Sequence, residues 1–104
     1  MTRMKHEWMR LASGIVDGAA YEKRGMYDSR TTSWREKLES ECIDYIAILD
    51  QLRISSDIKA AFYAYAINGC SLEAIATHFH VGASGLKKKL KSVMEELMLM
   101  SYGQ

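Results

Sequence analysis

The sequence predicts an all-α fold, a single small helical domain spanning residues 1–104. The chain contains no proline, which is the strongest helix breaker. Its apolar residues recur every three or four positions and almost never alternate, which is the pattern of helices rather than strands. A chain of 104 residues is long enough to form one domain around one core.

Composition narrows the class of protein. Apolar content of 48% with 26% charged residues is ordinary for a globular domain. No apolar stretch approaches the roughly 20 residues of a membrane span, and the N-terminus lacks a signal-peptide core. We therefore expect a cytoplasmic protein without membrane association. Cys42 and Cys70 are expected to be buried free thiols rather than a disulfide.

The first predicted helix is amphipathic and is followed by a long loop. Its apolar face comprises Met4, Trp8, Leu11, Ala12, Ile15 and Val16. Gly14 and Gly18 weaken its end, and periodicity is lost over 17–33, so these residues are predicted to form a loop. Within this loop, Lys23, Arg24 and Arg30 could contact phosphates or a protein partner. An ordinary solvated loop explains them equally well.

A long helix over 36–52 is predicted next. Ser33 and Glu36 have the spacing of a capping box at its start. Its apolar face comprises Leu38, Cys42, Tyr45, Ile46, Leu49 and Leu52. Its acidic face, with Glu39, Glu41, Asp44 and Asp50, would repel DNA and should point away from it. A basic protein partner for that face is the alternative.

A shorter helix leads into the most informative stretch. Ser55 and Ser56 are candidate caps, and Asn68-Gly69 is a natural stop. Its apolar face comprises Ile58, Ala61, Phe62, Tyr65 and Ala66.

Residues 71–100 have the pattern of a helix-turn-helix with an extended last helix. Ser71 is a good N-cap, and Leu72, Ile75, Ala76 and Phe79 follow at i, i+3, i+4 and i+7 spacing. The pattern breaks at His80-Val81-Gly82, where a left-handed turn is expected at His80. The second helix then buries Leu86, Leu90, Val93, Met94 and Leu97. Ala76 would let the two helices approach closely, and Phe79, Val81 and Leu86 would fill the wedge between them.

The start of that second helix combines small and basic residues. Small side chains over 82–85 would permit close approach to a major groove, and the following lysines would neighbour phosphates. The predicted DNA-binding residues are Ser71, Gly82, Ala83, Ser84, Lys87, Lys88 and Lys91. A helical hairpin with a solvated lysine face is the alternative.

Charge and surplus apolar residues add two expectations. The net charge of +1 hides a segregation, because residues 36–58 carry two basic and six acidic side chains whereas 83–104 carry four lysines and two glutamates. A basic patch suffices for a DNA footprint. The surplus apolar residues Met98 and Met100 suit a dimer contact or a docking patch, although core packing explains them more simply.

Catalytic signals are missing from the sequence. It has no nucleophile in a recognisable setting, no glycine-rich phosphate loop after a strand, and no paired carboxylates framed by a histidine. Cys70, His78 and His80 do not make the four-ligand set of a structural zinc site. We therefore expect no enzyme activity, no cofactor and no metal.

The order of these features resembles a known family. The run from Tyr65 to Ala76, YAINGCSLEAIA, followed by a turn and by Leu86 and Leu90, is similar to the DNA-binding end of sigma factor region 4. It resembles still more the phage antitermination proteins of the Q type. These are short helical proteins with a Trp-bearing first helix, a variable loop, an acidic-faced helix and a Y-x-x-G-x-S-x-x-x-I-A helix-turn-helix. The similarity covers most of the chain, although His80 replaces the usual glycine and Gly85 lies inside the second helix.

The resemblance implies a role in a bacterial host cell. The protein would bind double-stranded promoter DNA through residues 83–91, load onto paused RNA polymerase and suppress termination. Two alternatives stay open from the residues themselves. One is a homodimeric repressor or activator with its seam at Met98–Met100, and the other is a protein-only module that docks on polymerase.

Overall fold

The computed structural model describes residues 7–22 and 32–102, and six helices account for most of them. In chain order they are α1 (Glu7–Glu22), α2 (Thr32–Ser40), α3 (Tyr45–Gln51), α4 (Ser56–Ala66), α5 (Leu72–Phe79) and α6 (Ala83–Tyr102). These residues form no strand, so the predicted all-α fold is confirmed.

The core is built around α4, which contacts α1, α2, α5 and α6. Ala60, Ala61 and Ala64 are fully buried, and such small side chains let a neighbouring helix axis approach closely. On α1, Trp8 is buried and meets Tyr63 of α4 edge to face, with ring centroids 5.6 Å apart. Trp8 is therefore a core residue, as its position in the apolar pattern predicts.

The second tryptophan attaches α2 to the same helix. Trp34 stacks on Phe62 with centroids 5.8 Å apart and meets Tyr65 edge to face at 5.4 Å. Aromatic pairs in these geometries stabilise by about 0.5–1.5 kcal/mol beyond the area that they bury. Leu38, one turn further along α2, is fully buried. The sequence pattern does not single out Trp34, because it precedes the predicted helix.

The predicted loop over 17–33 is too long. α1 continues to Glu22, so residues 17–22 are helical, and α2 already begins at Thr32. Gly14 and Gly18 lie inside α1, because a glycine costs a helix interior only about 1 kcal/mol and the buried face of α1 outweighs that. Ser33 is consequently inside α2 and is not its cap. Residues 23–31, with Lys23, Arg24 and Arg30, lie outside the described residues.

The single helix predicted over 36–52 is wrong, because the chain turns after Ser40. Cys42 adopts a left-handed conformation with φ 55°. The N–H of Ile43 donates to the carbonyl of Leu38 at 3.0 Å, and the N–H of Cys42 donates to that of Glu39 at 3.1 Å, the bond pair of a Schellman ending. Ile43 and Leu38 are both buried, which is the apolar contact typical of this motif.

Side chains from two directions secure the short α3. The Asp44 carboxylate accepts from the N–H of Ala47 at 3.2 Å and caps the N-terminus. At the other end, the nearly buried Lys59 of α4 donates to the backbone carbonyl of Asp50 at 3.1 Å. That carbonyl lies in the last turn of α3, where helical partners are missing and a cation is favourable.

The caps predicted for the later helices are confirmed. Ser55 accepts from the N–H of Ile58 at 3.3 Å and begins α4, while Ser71 begins α5. α4 ends at Ala66, and Gly69 follows with φ 77°, as the predicted stop requires.

The two cysteines are both free, but their environments differ. Cys70 is buried, and burial raises the pKa of its thiol. Cys42 is exposed, which contradicts the expectation of a buried thiol, because the left-handed turn moves it off the apolar face of α2.

Candidate nucleic-acid interface

α5 and α6 are joined by a three-residue turn whose geometry follows from the sequence. The Ser71 hydroxyl accepts from the N–H of Ala74 at 3.1 Å and starts α5. α5 ends at Phe79, and its C-cap His80 is left-handed with φ 57° and ψ 44°, as predicted. Histidine tolerates this region better than most non-glycine residues. The carbonyl of Gly82 accepts from the N–H of Leu86 at 3.1 Å, which begins α6.

The wedge between α5 and α6 is filled differently from the prediction. Ala76 and Leu86 are buried and Phe79 is half-buried, but Val81 is 50% exposed. The N–H of Val81 donates to the carbonyl of Ala76 at 3.0 Å, in a second Schellman ending. At the position where this motif usually supplies an apolar contact, Ala76 offers Val81 only a methyl group, and Val81 stays half exposed beside Gly82.

The predicted DNA-binding residues fall into two groups. Gly82, Ser84, Lys87, Lys88 and Lys91 are exposed, and Ala83 is half-buried. Ser71 is only 6% exposed, and its hydroxyl is occupied by the cap on α5. We therefore assign Ser71 a structural role and leave it out of the candidate surface.

The exposed start of α6 is sterically open. A Cβ added to Gly82 or Gly85 would meet no atom within 4 Å. Nothing in the described fold therefore requires glycine for space at either position. The backbone of the first α6 turn is accessible to a partner at both sites.

The four lysines of α6 are spread around its outer surface. Leu86, Leu90, Val93, Met94 and Leu97 are buried and define the inner line of the helix. With about 100° of rotation per residue, Lys88 lies opposite that line, in register with Ser84 and Ser92. Lys87 and Lys91 lie on one flank, and Lys89 lies on the other. The run of lysines in the sequence does not by itself separate these flanks, although the helical period assigns each lysine to one of them.

Lys89 borders a groove between α6 and the start of α4. One part of the groove, about 520 Å³, is lined by Leu52, Arg53, Ile54, Ser55, Ile58, Lys89, Ser92, Val93 and Glu96. A second part, about 320 Å³, shares Ser55, Ile58 and Lys89 and reaches Val81 and Gly82 at the turn. Because the two parts share residues, we treat them as one surface, the α4–α6 groove. No pattern in the sequence indicates it, because it depends on the packing of α4 against α6.

The opposite flank of α6 forms a second concave surface with α2. This α2–α6 patch, about 570 Å³, is lined by Trp34, Lys37, Lys91, Met94, Glu95, Met98 and Leu99. Leu99 is 66% exposed, and Met98 and Met100 are half-buried. Both predicted partner-binding methionines pack against the core as partly buried residues, and Met98 also lines the patch.

Metal-binding and membrane-spanning features are not found among the described residues. In these ranges, no three His, Cys, Asp or Glu side chains are grouped so that they could hold a metal ion. Cys70 is buried, whereas His78 and His80 are exposed. No helix in the described part of the chain is long and apolar enough to cross a bilayer.

Comparison with known proteins identifies no relative: no family model, no curated protein and no solved structure matches this chain. The case for a function therefore depends on the described surfaces.

Proposed function

We propose that this protein is a DNA-binding transcription regulator that inserts the first turns of α6 into the major groove. The observation that carries the proposal is the start of α6. There, small exposed residues precede four exposed lysines, and a three-residue turn from α5 presents them. Small residues permit close approach of the helix to base edges, and lysines bind phosphates on either side of a groove.

Because α6 carries lysines on both flanks, it is better suited to binding in a DNA major groove than on a flat anionic surface. A helix in the major groove has a phosphate backbone on each side. Lys87 and Lys91 would contact one backbone and Lys89 the other, while Ser84 and Lys88 face the base edges. Lysine donates to guanine O6 and N7, and serine can bond to any base.

A more specific role follows from the resemblance to the Q-type antitermination proteins. In that role the protein binds promoter-proximal DNA, loads onto bacterial RNA polymerase and suppresses termination. Two surfaces favour alternative functions. The α2–α6 patch fits a dimeric repressor or activator, and the α4–α6 groove fits a protein-only module that docks on polymerase through apolar side chains.

Lysine removal tests DNA binding directly. The variant carries Lys87→Ala, Lys88→Ala and Lys91→Ala, and its binding to a mixed-sequence duplex is measured over a range of salt concentrations. Each lost phosphate contact lowers the slope of log K against log salt by about 0.9, so the loss of the Lys87 and Lys91 contacts should lower the slope by about 1.8. Circular dichroism should be unchanged, because all three side chains are exposed.

The matched control removes three exposed cations elsewhere, with Arg10→Ala, Arg35→Ala and Arg53→Ala. Both triple variants lower the net charge from +1 to −2, so a difference between them reports position rather than total charge. Equal slopes for the two variants would remove α6 from the interface and favour the protein-only module.

A transcription assay separates the regulatory roles. The template carries a late-type phage promoter and a downstream terminator, with purified bacterial RNA polymerase. Increased read-through that depends on promoter-proximal DNA supports antitermination. A change in initiation with unchanged termination supports the repressor or activator instead.

A further inference from the structure

The α2–α6 patch combines exposed apolar side chains with charges of both signs. Leu99 is 66% exposed, which is unusual for a leucine in a domain whose other described leucines are mostly buried. Met98 and Met94 lie beside it, and methionine adapts readily to a partner surface. Trp34 lines the same patch from α2, and tryptophan is enriched at the centres of interfaces.

The charges of the patch are suited to pairing with a copy of themselves. Lys37 and Lys91 supply two positive charges, and Glu95 supplies a negative one. Among the described residues, none of these three side chains makes an ion pair. The ion pair on α2 joins Arg35 and Glu39, which are not part of the patch. A two-fold interface brings the same patch from each subunit together, so it needs both signs within one patch.

We propose that the α2–α6 patch is the seam of a two-fold homodimer. Met98 of each copy meets its counterpart near the symmetry axis, Leu99 packs at the edge of the seam, and Glu95 faces Lys37 or Lys91 of the second copy. The two α6 helices then run antiparallel. Lys91 lies at the boundary between this seam and the lysine surface of α6.

The length of α6 gives this arrangement a consequence for DNA, which rests on the proposed function. The centre of residues 84–88 lies about 12 positions before Met98, or about 18 Å along the helix. With Met98 nearest the axis and the helix axes about 9 Å apart, the two base-facing segments are separated by about 37 Å. Consecutive major grooves on one face of DNA repeat every 34–36 Å or so.

The direction of the two faces is compatible with this spacing when Met98 lies nearest the axis. Met98 is separated from the outward line through Lys88 by roughly 80° around α6, so both base-facing segments can point along the two-fold axis toward the same side of the dimer. Leu99 lies within about 20° of the outward line and is therefore at the edge of the seam on that side.

The size of the patch predicts a weak dimer. Seven lining residues are far fewer than the 20 to 30 or so per side of a stable interface. We expect a dissociation constant between micromolar and millimolar, with DNA acting as a template that holds the two copies together.

A cysteine-pairing experiment without DNA tests the seam. The background is Cys42→Ser, which removes the exposed thiol and leaves the buried Cys70. A residue near a two-fold axis lies opposite its own copy, so Met98→Cys should form a disulfide dimer under mild oxidation. The control is Ser92→Cys, which is exposed about 120° around the same helix from Met98 and about 9 Å further from the axis along it.

Met98→Cys should cross-link roughly tenfold faster than the control for a dissociation constant near 0.1 mM, because the dimer holds its two thiols at an effective concentration near 1 mM. Sedimentation equilibrium should give a concentration-dependent dimer for the native chain and a monomer for Leu99→Asp with unchanged circular dichroism. Equal cross-linking rates for Ser92→Cys and Met98→Cys, or a monomeric native chain at about 1 mM, would overturn the seam.

The cross-linking and sedimentation experiments contain no DNA, so they test the seam separately from the proposed function. If the seam forms but the lysine variants leave DNA affinity unchanged, the homodimer stands and the proposed function fails. If DNA binding depends on the lysines but no dimer forms, the seam fails and the regulator acts as a monomer.

Discussion

Two turns of this protein share one backbone design and differ in what they do with it. After α2 and after α5, a non-glycine residue is left-handed, Cys42 in one turn and His80 in the other. Both turns close with the hydrogen-bond pair of a Schellman ending. The apolar residue that follows each of them differs in burial: Ile43 is buried in the core, whereas Val81 is half exposed.

The first turn has a structural role, whereas the second is available to a partner. Leu38 gives Ile43 a large apolar side chain to pack on, so the first turn fastens α2 and α3 into the core. Ala76 offers Val81 only a methyl group. The second turn therefore presents an apolar side chain next to the open start of α6, where the proposed interface lies.

The largest predicted effect separates the two apolar residues. Ile43→Ala should destabilise by about 2–5 kcal/mol, because it leaves a cavity beneath the first turn. Val81→Ala should change stability by less than about 0.5 kcal/mol, as is usual at the surface. Urea denaturation with a constant m-value measures both. A large loss for Val81→Ala would mean that the second turn is fastened as firmly as the first.

The next prediction distinguishes support of the second turn from contact with DNA. Ser71→Ala removes the α5 cap and should cost about 1 kcal/mol, with DNA affinity unchanged where the protein remains folded. Ser84→Ala should leave stability unchanged and lower DNA affinity, because Ser84 is exposed on the outward line of α6 and caps no helix. Thermal melts and a binding titration on each variant make the comparison. Loss of affinity in folded Ser71→Ala would return Ser71 to the interface.

The same two turns show what the sequence can predict. The order of α4, α5 and α6 is predictable because the starts carry local signals, and Ser55 and Ser71 do cap their helices. His80 interrupts an apolar period and lies close to a glycine, so the second turn is visible in the sequence. Cys42 falls on an i, i+4, i+7 spacing with Leu38 and Tyr45 and has no glycine near it, so the first turn is hidden.

The candidate surfaces are predictable to a smaller extent. Exposure of the α6 lysines follows from their charge, since lysines are almost never fully buried. Only part of the α2–α6 patch can be predicted from the sequence. Met98 is recognisable as a surplus apolar residue, but Trp34 and Lys37 come from a distant part of the chain. Only tertiary packing brings those two residues to α6. The same holds for the α4–α6 groove.

A glycine in α6 gives a prediction with opposite signs for stability and binding. Gly85→Ala should stabilise the protein by about 1 kcal/mol, because the added methyl meets no atom within 4 Å and alanine favours helix. DNA affinity should fall if the α6 backbone approaches the base edges at this point. Melting temperature and a titration on the same sample measure both. A gain in stability with unchanged affinity would place Gly85 away from DNA.

The smallest predicted effect tests whether the two turns are equivalent in backbone energy. Glycine adopts a left-handed conformation without steric cost, whereas other residues lose about 1–2 kcal/mol there, and histidine somewhat less. Part of that gain is offset by the greater freedom of glycine in the unfolded chain, about 0.4–1 kcal/mol. Cys42→Gly and His80→Gly should therefore each stabilise by about 0.5 kcal/mol, measured as a small rise in melting temperature. Because both side chains are exposed, neither substitution removes core packing, and the gain should be slightly smaller for His80→Gly than for Cys42→Gly. A loss of stability in His80→Gly alone would mean that the imidazole contributes a contact to the second turn that the cysteine does not make in the first.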